Sequence, residues 1–214
     1  MTRVSVHGAA GRMGRSIVRA LVEDKGATLV SAIERGSHSA LGQDAGVLAG
    51  LAEPLGIALT SSLEAALERA EVVIDFSLPD AAASLFHACA QRRVAAVVGT
   101  TGLDAPARLA LDALCKVAPV VVAPNYSVGV NVLWALAAQA VRLLGPDYDI
   151  EILETHHRHK VDAPSGTAVR LTEVVAQARG VDASRAVRPG RTGQVGARTQ
   201  DEIGVHAIRG GDVV

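Results

Sequence analysis

RVSVHGAAGRMGRSIVRALVEDKG, residues 3 to 26, is the stretch whose reading decides the fold. Val4 and Val6 alternate with smaller or polar residues, as in a short strand. Gly8, Gly11 and Gly14 follow at the spacing GxxGxxG. Met13, Ile17, Val18, Leu21 and Val22 then recur at helical spacing, and Gly26 can end that helix. A strand that runs through a glycine-rich turn into a helix can cradle a pyrophosphate. The glycines permit a tight turn and close approach of backbone amides, and the helix that starts near Arg12 adds the positive end of its dipole. The motif is weak alone, but its context adds weight. The next strand, ATLVSAI, ends at Glu34, 20 residues after Gly14, where a ribose-binding carboxylate belongs. Arg35 stands beside it, and a guanidinium there can pair with the 2′-phosphate of NADP. NADH and NADPH both remain open on these residues.

Outward from this stretch, short apolar runs alternate with helical patterns. SSLEAALERA opens with a capping box, Ser61 to Glu64, and reads as a helix. EVVIDFS is a buried strand, PDAAASLFHACAQRR a helix, VAAVVGTTG a strand, DAPARLALDALCKV a helix and PVVVAPN a strand. Residues 35 to 58 are rich in small residues and read as a loop with room for one short helix. Strict alternation implies a parallel sheet covered on both faces, with ligands at the carboxyl ends of its strands. Those ends carry the glycine turn, Glu34, Ser77, Gly99-Thr100-Thr101 and Ala123-Pro124-Asn125-Tyr126.

After Asn125 the texture changes. GVNVLWALAAQAVRLLG is a long helix, YDIEILETHH a strand, GTAVRLTEVVAQARG a helix and DEIGVHAIRGG a last strand, with residues 181 to 200 read as loop. The fold class is therefore α/β: a parallel-sheet nucleotide-binding domain over residues 1–127, then a second domain over 128–214. The second domain contains HHRHK, residues 156 to 160, followed by Asp162 and PSGTA. Three readings compete for this run: a metal site, an acid/base and anion site, and a solvated basic loop. Adjacent histidines on extended chain point in opposite directions, Lys160 would repel a cation, and no carboxylate or thiolate shows ligand spacing nearby, with Asp162 the only close candidate. No metal is expected. An acid/base site fits better. Histidine titrates near neutrality, lysine is a cation and a proton donor, and PSGTA offers amides at a helix start with Ser165 or Thr167 as cap.

Bulk composition narrows the function classes. Hydrophobic residues make up 49% of 214 residues and aromatics only 2%, so the core must be built from Ala, Val, Leu and Ile. Net charge is −1, which argues against nucleic acid or an anionic membrane as partner. The apolar runs are too short and interrupted to span a bilayer. Arg3 and His7 sit inside a strand pattern and not before a long apolar run, so no export signal is expected. Cys89 and Cys115 fall in helical patterns and read as buried, reduced thiols, which suits the cytoplasm.

VHGAAGRMGR, VVIDFS, VVGTTG, APNYSVGVNV and EILETHHRHKVDAPSGTA, in this order, resemble the 4-hydroxy-tetrahydrodipicolinate reductase (dihydrodipicolinate reductase) family of diaminopimelate and lysine biosynthesis. The resemblance implies a Rossmann-type nucleotide-binding domain followed by a smaller α+β domain with a mixed sheet, NAD(P)H-dependent reduction of a cyclic dicarboxylate, and a homotetramer. It assigns Gly8, Ala9, Ala10, Gly11, Arg12 and Met13 to the pyrophosphate, and Glu34 and Arg35 to the adenosine end. Gly99, Thr100, Thr101, Ala123, Pro124, Asn125 and Tyr126 go to the nicotinamide side. His156 becomes the proton donor/acceptor and Lys160 the second donor, with His157, Ser165, Gly166 and Thr167 as substrate ligands. The family pattern continues several tens of residues beyond RGGDVV, so a C-terminally shortened chain is expected, with impaired assembly and turnover. A different oxidoreductase on the same scaffold would call for a catalytic cysteine, which Cys89 and Cys115 fit poorly. A cofactor-binding sensor would give no reason to keep His156 and Lys160 beside the anion cradle.

Overall fold

The computed structural model describes residues 1–213. It divides into two compact units, Met1–Ala123 and Pro124–Val214. The first contains β1 (Thr2–His7), α1 (Arg12–Glu23), β2 (Ala27–Ile33), α2 (Ala45–Leu48), β3 (Leu59–Thr60), α3 (Leu63–Leu67), β4 (Val72–Asp75), α4 (Pro79–Arg92), β5 (Ala95–Val98), α5 (Ala105–Cys115) and β6 (Val120–Val122). Its strands form one six-stranded sheet in the order β3-β2-β1-β4-β5-β6, and every pairing is parallel. The order reverses between β1 and β4, so the chain leaves these two strands in opposite directions and opens a crevice at their carboxyl ends.

Neighbouring strand residues feed two different cores, because side chains alternate across a strand. Ala32 and Ile74 belong to a cluster with Val4, Val6, Val18 and Leu29, while Ile33 and Val73 join Leu67, Leu85, Phe86 and Leu114. The sheet is therefore covered on both faces, as the continuous apolar runs require. Ser5 is fully buried, and its hydroxyl is satisfied by Ser31 Oγ at 2.5 Å.

The second unit contains α6 (Val128–Leu144), β7 (Ile150–His156), α7 (Gly166–Arg179), α8 (Ala183–Ala186), β8 (Val187–Pro189) and β9 (Ile203–Arg209). Its sheet has the order β7-β9-β8. Ile152, Ile203 and Val205 pack with Val175, Ala176 and Ala186 to form its core. On the other face Glu151 and His206 meet at 2.7 Å, and the arginines of the 190–200 loop close around them. Arg191 binds Glu151 at 2.8 Å and also Glu202, and Arg198 reaches Asp149 at 2.8 Å. These pairs anchor a segment that has little apolar residue of its own.

The sequence reading needs four corrections. The small sheet is parallel in both described pairings and not mixed. The connections between its strands are long enough for crossovers, 30 residues from β7 to β8 and 13 from β8 to β9. Residues 181 to 200 are not all loop, since α8 and β8 lie there; both are too short to show a period. The cap of α3 is Ser62, whose hydroxyl accepts from Ala65 N at 3.2 Å, and not Ser61 with Glu64. Cys115 is exposed, whereas Cys89 is buried. Helix α5 buries Ala107, Ala110 and Leu114, and the next residue turns off that face by about 100°.

Candidate functional site

In the first unit the glycine turn sits at the carboxyl end of β1. Gly8 has φ +75°, and a Cβ there would lie 2.5 Å from the Phe76 carbonyl oxygen, so only glycine fits. Gly11 is the N-cap of α1 and has no side chain to occupy the first-turn amides, which leaves that helix end open to an anion. Glu34 leaves the end of β2 and reaches back to the turn. Its carboxylate accepts from Ala10 N at 3.2 Å and from Arg35 N at 3.0 Å. A cavity of about 310 Å³ is lined by Gly8, Ala10, Gly11, Glu34, Arg35 and His38. The His38 ring accepts from Ala40 N through Nδ1 at 3.1 Å, so the neutral ring carries its proton on Nε2. A second cavity, about 380 Å³, shares Phe76, Ser77 and Leu78 with the first and adds Arg12, Met13, Gly99, Thr100 and Thr101. The trough along the strand ends thus has glycine amides at its centre, a carboxylate and a guanidinium at one end and the 99–101 turn at the other. That is a fit for a dinucleotide.

A buried polar cluster holds this edge together. His7 Nδ1 and Asp75 Oδ1 are 2.8 Å apart, and both residues are buried. Thr100 Oγ1 donates to Asp75 Oδ2 at 2.8 Å, and Ser77 N donates to Thr100 Oγ1 at 3.0 Å. Burial pushes the Asp75 carboxyl up, but His7, Ser77 and Thr100 outweigh it and hold it below the usual carboxylate range. Asp75 therefore fastens the ends of β1, β4 and β5 to one another. The sequence reading passed over it; an aspartate closing an otherwise apolar strand, VVID, was the available signal.

In the second unit β7 ends at His156, and residues 157–160 turn back with Lys160 N donating to His157 O at 3.1 Å. Helix α7 begins at Gly166. Ser165 is its cap and accepts from Ala168 N at 3.2 Å, which resolves the choice between Ser165 and Thr167. Thr167 Oγ1 accepts instead from Asn125 Nδ2 at 3.2 Å. Lys160 Nζ lies 2.7 Å from Asp162 Oδ1. Burial raises the Asp162 carboxyl, but Lys160 overrides it, so the net shift is downward. His157 Nδ1 is buried without a hydrogen-bond partner in the described structure, and its ring lies 6.0 Å from that of His159.

Glu154 links these pieces. It accepts from His156 Nδ1 at 2.6 Å, from Ser165 N at 2.9 Å and from both Nη atoms of Arg209 at 2.8 Å. Neither Glu154 nor Arg209 was singled out from sequence, because their pairing depends on the register that sets His156 beside Arg209. The Arg209 hydrogen bonds hold the Glu154 carboxyl at about 2, against an ordinary 4.5, with His156 and Ser165 adding and burial opposing. A depressed carboxyl contributes stability above its unfolded value, and the contribution disappears as pH falls from about 4.5 through about 2. The full effect is on the order of 3 kcal/mol, of which about 2 is lost by pH 3. Urea unfolding of the second unit at pH 7 and pH 3 should therefore show a shallower pH dependence for Glu154→Gln than for the parent chain. Equal slopes would remove Glu154 from the acid response.

The anticipated residues thus gather in two groups: Gly8 to Met13, Glu34, Arg35 and Gly99 to Thr101 in the first unit, and His156, His157, Lys160 and Ser165 to Thr167 in the second, where Asn125 joins them. Ala123 continues the β5–β6 pairing, donating to Val98 O at 3.2 Å. Among the described residues no group of three or more His, Cys, Asp or Glu is arranged to hold a metal ion.

Comparison with known proteins agrees with this geometry. Residues 2–126 match the family model described as dihydrodipicolinate reductase, N-terminus, and residues 129–214 match the corresponding C-terminus model. A 4-hydroxy-tetrahydrodipicolinate reductase of Alkalilimnicola ehrlichii is 49% identical over 213 residues, covering 100% of this chain and 79% of the relative. Its counterpart in Geotalea daltonii is 44% identical over 214 residues, covering 80% of that relative. Among solved structures, the dipicolinate-bound dihydrodipicolinate reductase from Paenisporosarcina sp. TG-14 superposes with a TM-score of 0.70 over 98% of this chain and 79% of that one. At 24% identity it speaks for the fold alone. With both halves matched and close relatives aligned along its whole length, the chain belongs to the dihydrodipicolinate reductase family.

Proposed function

We propose that this chain reduces 4-hydroxy-tetrahydrodipicolinate with NADH or NADPH, the step its relatives are named for. The observation that carries the reading is the joining of His156 to the helix-start cradle at Ser165–Thr167 through one carboxylate, beside Lys160. The reduced nicotinamide, when bound, supplies a hydride. The chain's residues do the rest. Amides of the Gly8–Met13 turn hold the pyrophosphate, Glu34 takes the adenosine ribose, and Gly99–Thr101 with Ala123–Tyr126 line the nicotinamide side. In the substrate site, amides at Gly166 and Thr167, the hydroxyls of Ser165 and Thr167, and His157 receive the carboxylates of the dicarboxylate substrate. Hydride addition builds negative charge toward the ring nitrogen, and His156 and Lys160 stand as the proton sources.

The direct test is substrate-dependent loss of reduced-nicotinamide absorbance with freshly generated 4-hydroxy-tetrahydrodipicolinate. Cofactor binding without turnover would favour the sensor reading. The adenosine end gives a second test. Arg35 is exposed beside Glu34 and lines the same cavity. Arg35→Ala should weaken NADPH about tenfold, about 1.4 kcal/mol, and leave NADH within about twofold. Equal losses for both cofactors, measured by fluorescence titration, would sink that role.

We read the second unit as the oligomerising one, in the homotetramer expected of the family. The support is exposed apolar side chains on the face of its sheet away from the core, Leu153 at 67% and Ile208 at 49%. We propose the cytoplasm as the site of the reaction, where amino-acid biosynthesis supplies its substrate.

A further inference from the structure

The acid/base assignment leaves open which nitrogen of His156 carries the proton and what holds the ring. The structure bears on both. Glu154 and His156 are two residues apart on β7, so their side chains stand on the same face. The Glu154 carboxylate has four donors: His156 Nδ1, Ser165 N and the two Nη atoms of Arg209. Four is about the full acceptor capacity of a carboxylate. Arg209 is itself fixed, donating to the Asp162 and Ile208 carbonyls at 2.6 and 2.8 Å. A carboxylate so occupied can only accept, so His156 must be the donor through Nδ1–H.

We infer that Glu154, backed by Arg209, is the positioning residue for His156. It fixes the Nδ1–H form of the ring and leaves Nε2 as the nitrogen that exchanges a proton with substrate. In the acid step the Nε2–H bond of the imidazolium breaks, the proton passes to the atom where negative charge develops, and a neutral ring remains with Nδ1–H on Glu154. Arg209 offsets the charge of Glu154, so the carboxylate orients the ring without competing for that proton. The same carboxylate accepts from Ser165 N. A glutamine at 154 keeps an amide oxygen that can accept from Ser165 N, so Glu154→Gln tests the ring and spares the cradle.

This rests on the proposed role of His156, and the test separates the two. In the full chain with 15N-labelled histidine, the His156 signal is assigned by its loss in His156→Ala. Above its titration it should report the Nδ1–H tautomer, and Glu154→Gln should shift it toward Nε2–H. Kinetically, Glu154→Gln should lower kcat at least tenfold with KM and NADH affinity within about threefold, yet lower it less than twofold in the His156→Ala background. If His156→Ala keeps the parent turnover, the acid/base reading itself fails. If His156→Ala is slow but Glu154→Gln costs the same in both backgrounds, the positioning role is wrong. An Nε2–H tautomer in the unmodified chain would also overturn it, and that measurement depends on no variant folding.

Discussion

His156→Ala and Lys160→Ala are each expected to lower kcat by roughly a hundredfold or more, the usual contribution of a positioned proton-transfer group. NADH and NADPH affinity should hardly change, because neither residue lines the dinucleotide trough. The two variants should differ in one respect. Lys160 is paired with Asp162 at 2.7 Å, so Lys160→Ala also strips the partner from a partly exposed carboxylate and should raise KM for the anionic substrate. His156→Ala should act on kcat. Single-turnover kinetics with saturating cofactor separate these effects. A chain whose turnover survives both substitutions would have its proton source elsewhere, and chelator-sensitive activity restored by zinc would revive the metal reading.

Gly14→Ala is expected to disrupt the first unit. Gly14 is buried in α1 where that helix crosses the turn it grew from, and a Cβ would lie 2.1 Å from the Gly8 carbonyl oxygen and 2.6 Å from the Ala9 Cα. Both atoms are backbone, so no rotamer can yield, and the helix must move off the sheet. The cost is roughly 3 kcal/mol or more, at the upper end of overpacking penalties, and the displaced helix start should lose NAD(P)H binding as well. Gly42→Ala is the contrast. Its φ is +81°, but nothing lies within 4 Å of the added Cβ, so it carries only the left-handed backbone penalty of roughly 1–2 kcal/mol. Urea unfolding of both variants, with NADH titration, checks the pair; equal destabilisation would mean that the close approach at Gly14 is relieved without cost.

The fold was legible where period and punctuation agree. The strand, glycine turn and helix at residues 3 to 26 and the later alternation of apolar runs and helices match the parallel sheet found. Legibility failed where elements are too short for a period, as at α8 and β8, and where one helical step decides burial, as between Leu114 and Cys115. At the site, His156, Lys160 and Ser165 could be named because imidazole, ammonium and a capping hydroxyl carry their chemistry in their type. Glu154, Arg209 and Asp75 could not be assigned this way, since an isolated carboxylate or guanidinium in a sequence is more often a solvated charge.

What the sequence alone determined is local: the glycine turn, the strand runs and the chemical types gathered between residues 154 and 168. Each depends on backbone sterics, periodicity or side-chain chemistry within a few residues. What only the tertiary structure decided is partnership. Arg209 meets Glu154 across 55 residues of chain, and His7 meets Asp75 across 68, because parallel register sets strand β9 beside β7 and β4 beside β1. Register is chosen by burying one face of each strand over its whole length, a collective energy that no single residue announces.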